Sequence, residues 1–103
     1  MITIHFDGLH MTASGHAGFA PNGQDIVCAG VSALSYAAAE YLTQMHHWGK
    51  LEEEPVIVMK PGEIRLECAP ILTAQEEAEH VFRFLEIGCR LIAGGYQDNV
   101  SVV

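Results

Sequence analysis

The side chains able to do chemistry concentrate between Gly15 and Ser32, where a histidine, a glycine-rich loop and a cysteine at a predicted helix start follow one another. Asp25 is a good helix N-cap, and counting from it puts Cys28 at the third helical position, inside the first turn. Backbone N–H groups there lack intrahelical partners and the macrodipole is positive, surroundings that favour a thiolate, the nucleophilic form of cysteine. Such a nucleophile needs a group that exchanges a proton near neutrality. His16, twelve positions upstream at a predicted strand end, is within reach across the loop. Residue types alone leave two readings open, a catalytic pair and an unrelated histidine and cysteine in one small chain.

Two further residues have a double reading. Ser32 lies one turn after Cys28 on the same helix face, so its hydroxyl either approaches the cysteine or bonds back to a carbonyl of its own preceding turn. The Asp25 carboxylate either caps the Cys28 N–H, which removes that N–H from any oxyanion, or orients His16 and leaves the cap to another group. Between them the loop collects Gly18, Pro21, Asn22 and Gly23, residues that accept turn conformations at low cost, together with Ala17, Phe19 and Ala20. It reads equally as an ordered surface loop and as a flap over a site.

The elements that must position these residues are legible from periodicity. Ile2, Ile4 and Phe6 alternate with Thr3, His5 and Asp7 as in a strand with one wet face, and Met11 to Ser14 returns as its partner after Gly8. From Ile26 to about Met45, Val27, Val31, Leu34, Ala38, Tyr41, Leu42 and Met45 recur at helical spacing, with Gly49 as the stop. The small residues Ala29, Ala33, Ala37, Ala38 and Ala39 would let the sheet or a second subunit's helix come close, although alanine is also the best helix former. Val56 to Met59 and Ile64 to Cys68 read as strands joined around Lys60-Pro61-Gly62-Glu63. That sequence suits a type II turn, a poor match to hairpin twist, so a longer loop is expected.

Thr73 and Glu76 form a capping box for a second helix with Ala78, Val81, Phe82, Leu85, Cys89 and Ile92 on its apolar face, ended by Gly94-Gly95. Residues 96–103 are left open between disorder and a short strand. The resulting order β-β-α-β-β-α, without repeats or linkers, predicts an α+β two-layer sandwich on a mainly antiparallel sheet, a single domain over residues 1–103.

Composition narrows the functional classes. A net charge of −8, from 5 basic and 13 acidic residues with no basic cluster, argues against nucleic-acid binding. The three cysteines lack CxxC spacing, so neither a zinc site nor a disulfide framework is expected. Cys68 and Cys89 fall on apolar faces and read as inert core thiols. His5 and His10 are placed on or beside strands. His46 and His47, at a helix end, point different ways and cannot easily share a metal. No metal and no cofactor is expected. The strand-like N-terminus is unlike a signal sequence and no run approaches a membrane span, which together predict a cytoplasmic protein with no membrane contact.

The string Gly15-His16-Ala17, a loop, then Gly23-x-Asp25-Ile26-Val27-Cys28-Ala29-x-x-Ser32 resembles the signature of the Prp family, the ribosomal-processing cysteine proteases of bacteria. The resemblance implies a homodimeric endopeptidase that removes a short N-terminal extension from a large-subunit ribosomal protein precursor. Carried over by position, it makes Cys28 the nucleophile, His16 its base and later acid, Asp25 and Ser32 supporting residues, and Ala17, Gly18, Phe19 and Gly23 part of a mobile substrate loop. An oxyanion would then sit at the helix N-terminus. Alternatives are a phage or prophage protease of the same family acting on capsid or scaffold protein, and a non-catalytic ribosome-associated protein that holds a peptide or anion. A redox or acyl-carrying thiol is disfavoured because no resolving cysteine lies near Cys28.

Overall fold

A computed structural model describes residues 1–21 and 23–103; Asn22, counted above among the loop's turn-forming residues, lies outside the described residues. The elements run β1 (Ile2–Asp7), β2 (His10–Ser14), α1 (Ile26–His47), β3 (Val56–Lys60), β4 (Glu63–Glu67), α2 (Gln75–Gly95) and β5 (Val100–Val102). They form one five-stranded sheet in the order β3-β4-β2-β1-β5, antiparallel except for β5, which runs parallel to β1. The α+β prediction holds, and the sequence order gains a final strand from the tail.

Alternation decides which face of the sheet is covered. Ile2, Ile4, Met11, Ala13, Ile64 and Leu66 are buried with the inner faces of α1 and α2 in one core. Thr3, His5, Thr12, Ser14 and Arg65, at the alternate positions, are exposed. Along α1 the buried stripe is Val27, Val31, Ser35, Ala38, Ala39, Leu42 and Met45. Ser35 takes a core position because its Oγ donates to the Val31 carbonyl at 2.8 Å, which leaves no unpaired polar atom there. Tyr41, expected on this stripe, is instead exposed, with its hydroxyl donating to Glu77 Oε2 at 2.6 Å.

Several expectations need correction. The β3–β4 connection is no longer than two residues, since Lys60 pairs with Glu63 across Pro61 and Gly62, and Gly62 supplies the positive φ of 77° that the turn requires. The Thr73 capping box does not form. A 3₁₀ turn over Leu72–Ala74 precedes α2, whose N-cap is Ala74 and has no side-chain bond. The Ile71 and Leu72 carbonyls accept from the N–H groups of Ala74 and Gln75, and this takes the place of the threonine hydroxyl. Of the small residues of α1, Ala38 and Ala39 are buried, and α1 and α2 also approach each other at glycines: a Cβ on Gly88 would meet Leu34 Cδ1 at 2.8 Å, and one on Gly30 would meet Ile92 Cδ1 at 3.3 Å. Ala29, Ala33 and Ala37 are exposed.

By length and composition α1 meets the requirement for a membrane span, contrary to the expectation that no run approaches one. In this fold its inner face joins the core, with Leu42 and Met45 fully buried, each such side chain worth about 1.5–3 kcal/mol on burial. The helix closes in a Schellman motif. Gly49, at φ 75°, donates to the His46 carbonyl and Lys50 to the Met45 carbonyl, at 3.0 and 2.9 Å. A cross-brace lies beside this end, where Lys50 Nζ reaches Glu77 Oε1 at 2.7 Å and holds the Glu77 carboxyl below its ordinary range.

Candidate active site

The segment after β2 is fixed in place before it reaches His16. Gly15 adopts φ 95°, donates to the Gly62 carbonyl at 3.0 Å, and packs so closely on the Met1 carbonyl that a Cβ would collide with it. The end of β2 is thereby tied to the β3–β4 turn, and His16 emerges exposed against that turn. A Cβ added to Gly62 would lie 3.0 Å from His16 Nε2. Gly62→Ala therefore strains a positive φ and crowds the imidazole; it is expected to lower the melting temperature by about 5 °C, measured by thermal unfolding.

Cys28 stands half-buried in the first turn of α1, as counted from Asp25. Asp25 resolves its double reading. Its Oδ1 accepts from Val27 N and Cys28 N at 3.0 and 2.9 Å, and its Oδ2 accepts from Phe19 N and Ala20 N at 3.0 and 3.4 Å. These N–H groups, the Cys28 N–H first among them, hold the Asp25 carboxyl below its ordinary value of 3.8. The residue is both helix cap and loop anchor, and neither oxygen is left to orient His16. The oxyanion position expected at the helix start is likewise not available as drawn: Val27 N–H and Cys28 N–H go to Asp25, and the Ala29 N–H goes to the Asp25 carbonyl at 3.0 Å.

The backbone donor that does face the sulfur comes from the loop. Ala17 N–H donates to Cys28 Sγ at 3.3 Å. Ala17, at the start of the expected substrate loop, is 2% exposed and holds its N–H against the sulfur. Gly18 and Gly23, at φ 70° and 87°, carry the loop round, and Phe19 is exposed with its ring edge-on to Tyr96 at 5.3 Å.

His16, Cys28 and Ser32 line a groove of about 280 Å³ between α1 and the β3–β4 turn, continued by Tyr36 two turns along α1 and by Met59 to Ile64 opposite. On the loop side the same three residues border a second hollow of about 660 Å³ with Gly18, Gly23 and Asp25. The sulfur thus sits where two open depressions meet. Among the described residues no hydrogen bond joins His16 to Cys28, and Ser32 makes neither of its two expected bonds. Sequence reasoning missed Tyr36 and the β3–β4 turn as groove walls.

The other thiols differ in kind. Burial pushes Cys68 and Cys89 each up to about 11. At pH 8 such a thiol is thiolate in about one molecule in a thousand. Brief iodoacetamide treatment at pH 8 is expected to label Cys28 at least about tenfold faster than Cys68 or Cys89, read by peptide mass spectrometry.

The family profile for the cysteine protease Prp matches residues 1–101. The chain belongs to the Prp family of cysteine proteases. Two crystal structures of the essential ribosomal processing protease Prp from S. aureus are similar to it. The one with a covalently linked product peptide superposes at TM-score 0.76 with 24% identity, covering 99% of this chain and 97% of the other. The one with a substrate peptide superposes at 0.70 with 20% identity, covering 99% and 95%. SMU.848 from Streptococcus mutans has a TM-score of 0.71 and 24% identity over 99% of this chain and 91% of its own. No curated protein matches the chain. At these identities the structural likeness speaks for the Prp fold, and the profile match for the Prp activity class.

Proposed function

We propose that this Prp-family protease removes a short N-terminal extension from a large-subunit ribosomal protein precursor, with Cys28 as nucleophile and His16 as general base and acid. The observation that carries the site assignment is the contrast among three thiols. Cys28 alone opens onto the groove shared with His16 and receives a backbone N–H on its sulfur, whereas Cys68 and Cys89 are held as neutral thiols by burial. The family's ribosomal-processing members support the substrate class, and the net charge of −8 suits a basic ribosomal partner. The protein works in the cytoplasm, as a homodimer.

In the acylation step His16 removes the Cys28 proton and Sγ attacks the scissile carbonyl carbon. The S–C bond forms as the C–N bond breaks, and the imidazolium proton passes to the leaving amine, the N-terminus of the mature protein. Water then loses a proton to His16 and adds to the thioester, releasing the extension as a carboxylate and restoring the thiol. Asp25 acts by fixing α1 and the loop relative to each other, and Ser32 lines the groove beside the sulfur.

The test is incubation of the purified protein with the extended and the mature forms of a large-subunit ribosomal protein, followed by mass spectrometry of the new N-terminus. Cleavage of the extended form at one bond is the expected result. An intact extension, with cleavage of a phage capsid or scaffold precursor instead, would overturn the substrate assignment.

A further inference from the structure

The donor that faces Cys28 is itself held by a residue far away in sequence. Asn99 Nδ2 donates to the Ala17 carbonyl at 2.9 Å across 82 positions of chain, and the Ala17 N–H donates to Cys28 Sγ. Asn99 is in turn fixed by its own backbone: its N–H donates to the Tyr96 carbonyl and its carbonyl accepts from Ile2 N, both at 2.9 Å. This turn leads directly into β5, which pairs with β1 from Ile2↔Val100 onward. The sheet edge thereby sets where the Asn99 carboxamide stands.

We propose that Asn99 is a positioning residue for the cysteine, acting through the loop to aim the Ala17 N–H at Cys28 Sγ. The inference rests on the protease reading above for its catalytic meaning. The physical case is one of accounting. The helix-start donors that would serve a thiolate at Cys28 are committed to Asp25, which leaves the Ala17 N–H as the backbone donor on the sulfur. Gly15 and Asp25 tie the loop down on either side of Ala17, at Gly15 N and at Phe19 N and Ala20 N, and the bond from Asn99 is the side-chain restraint on the Ala17 peptide itself. Fixing the Ala17 carbonyl restrains the residue's backbone and so the direction of its N–H. A hydrogen bond to an ionised sulfur is stronger than one to a thiol, so the restraint favours the reactive form.

Three variants separate this role from simple loop packing. Asn99→Asp keeps the shape and loses the donor, Asn99→Ala loses both, and Asn99→Gln keeps a carboxamide. Each is measured for melting temperature, for the iodoacetamide rate at Cys28 at fixed pH, and for kcat and KM on the extended precursor. Asn99→Asp and Asn99→Ala are expected to slow Cys28 alkylation and lower kcat about tenfold each, with KM within about twofold of wild type; Asn99→Gln retains at least about a third of both rates. Wild-type alkylation and kcat in Asn99→Asp would overturn the proposal. So would a loss confined to KM, or losses in all three variants that follow the melting temperature. Alkylation needs no substrate: if the unmodified protein cleaves no precursor, the protease assignment fails while the alkylation contrast still decides the role of Asn99.

Discussion

Cys28→Ala is expected to reduce kcat/KM for precursor cleavage to background, a loss of at least about 10⁴-fold, and His16→Ala to reduce it by at least about 10³-fold. Neither of the other two thiols replaces the sulfur, because Cys89 is buried in the apolar core and Cys68 packs partly buried against it, each pushed up to about 11. The Asp25 carboxylate does not take the place of the imidazole either, since both of its oxygens are occupied by backbone N–H groups. Both variants should fold. His16 is exposed, and Cys28 is half-buried with a single hydrogen bond to its sulfur, so truncating either leaves the core intact. Melting temperatures within about 3 °C of wild type are the expected control.

Asp25→Ala carries the second large effect, and for a different reason. One carboxylate accepts four backbone N–H groups, two from the first turn of α1 and two from the loop. Removing it frees the helix start and the loop together, so kcat/KM should fall about a hundredfold and the melting temperature by about 5 °C. The pH dependence has a defined sign. Because Asp25 is held below 3.8 in the folded protein, its stabilising contribution is fully present above that ordinary value and is lost as pH falls through the lowered one. The difference in melting temperature between wild type and Asp25→Ala is expected to stay constant from pH 7 to 5 and to shrink below about pH 3.8. A gap that persists undiminished at pH 2 would show that the cap does not act through the ionised carboxylate.

Local patterns made most of the frame readable. Two-residue alternation placed Ile2, Ile4 and Met11 inward, and three- and four-residue spacing placed Val27, Val31 and Leu42 inward, because burial of one face is a nearest-neighbour property of each element. The departures come where a neighbour from elsewhere competes. Thr73 yields its capping role to carbonyls of a preceding turn, and Tyr41 leaves the core stripe to bond Glu77 on the other helix. Val100 to Val102 is too short to announce itself as a strand and forms only because the edge of β1 is there to receive it.

The site divides in the same way. Cys28 was legible because its place in the first turn follows from one capping residue a few positions back. The double role of Asp25 was visible as a conflict, and only the folded loop shows that one carboxylate serves helix and loop at once. The groove walls at Tyr36 and the β3–β4 turn, and the bond from Asn99 to Ala17, depend on contacts across the whole chain. No spacing rule reaches them.

The central claim, that Cys28 forms an acyl-enzyme with the N-terminal extension, is tested most directly by rapid acid quench of the protein with excess extended precursor, followed by intact and peptide mass spectrometry. The expected result is an adduct on Cys28 whose added mass is that of the extension peptide less one water, with none on Cys68, on Cys89 or in Cys28→Ala. Cleavage that proceeds without such an adduct and survives in Cys28→Ala would contradict it.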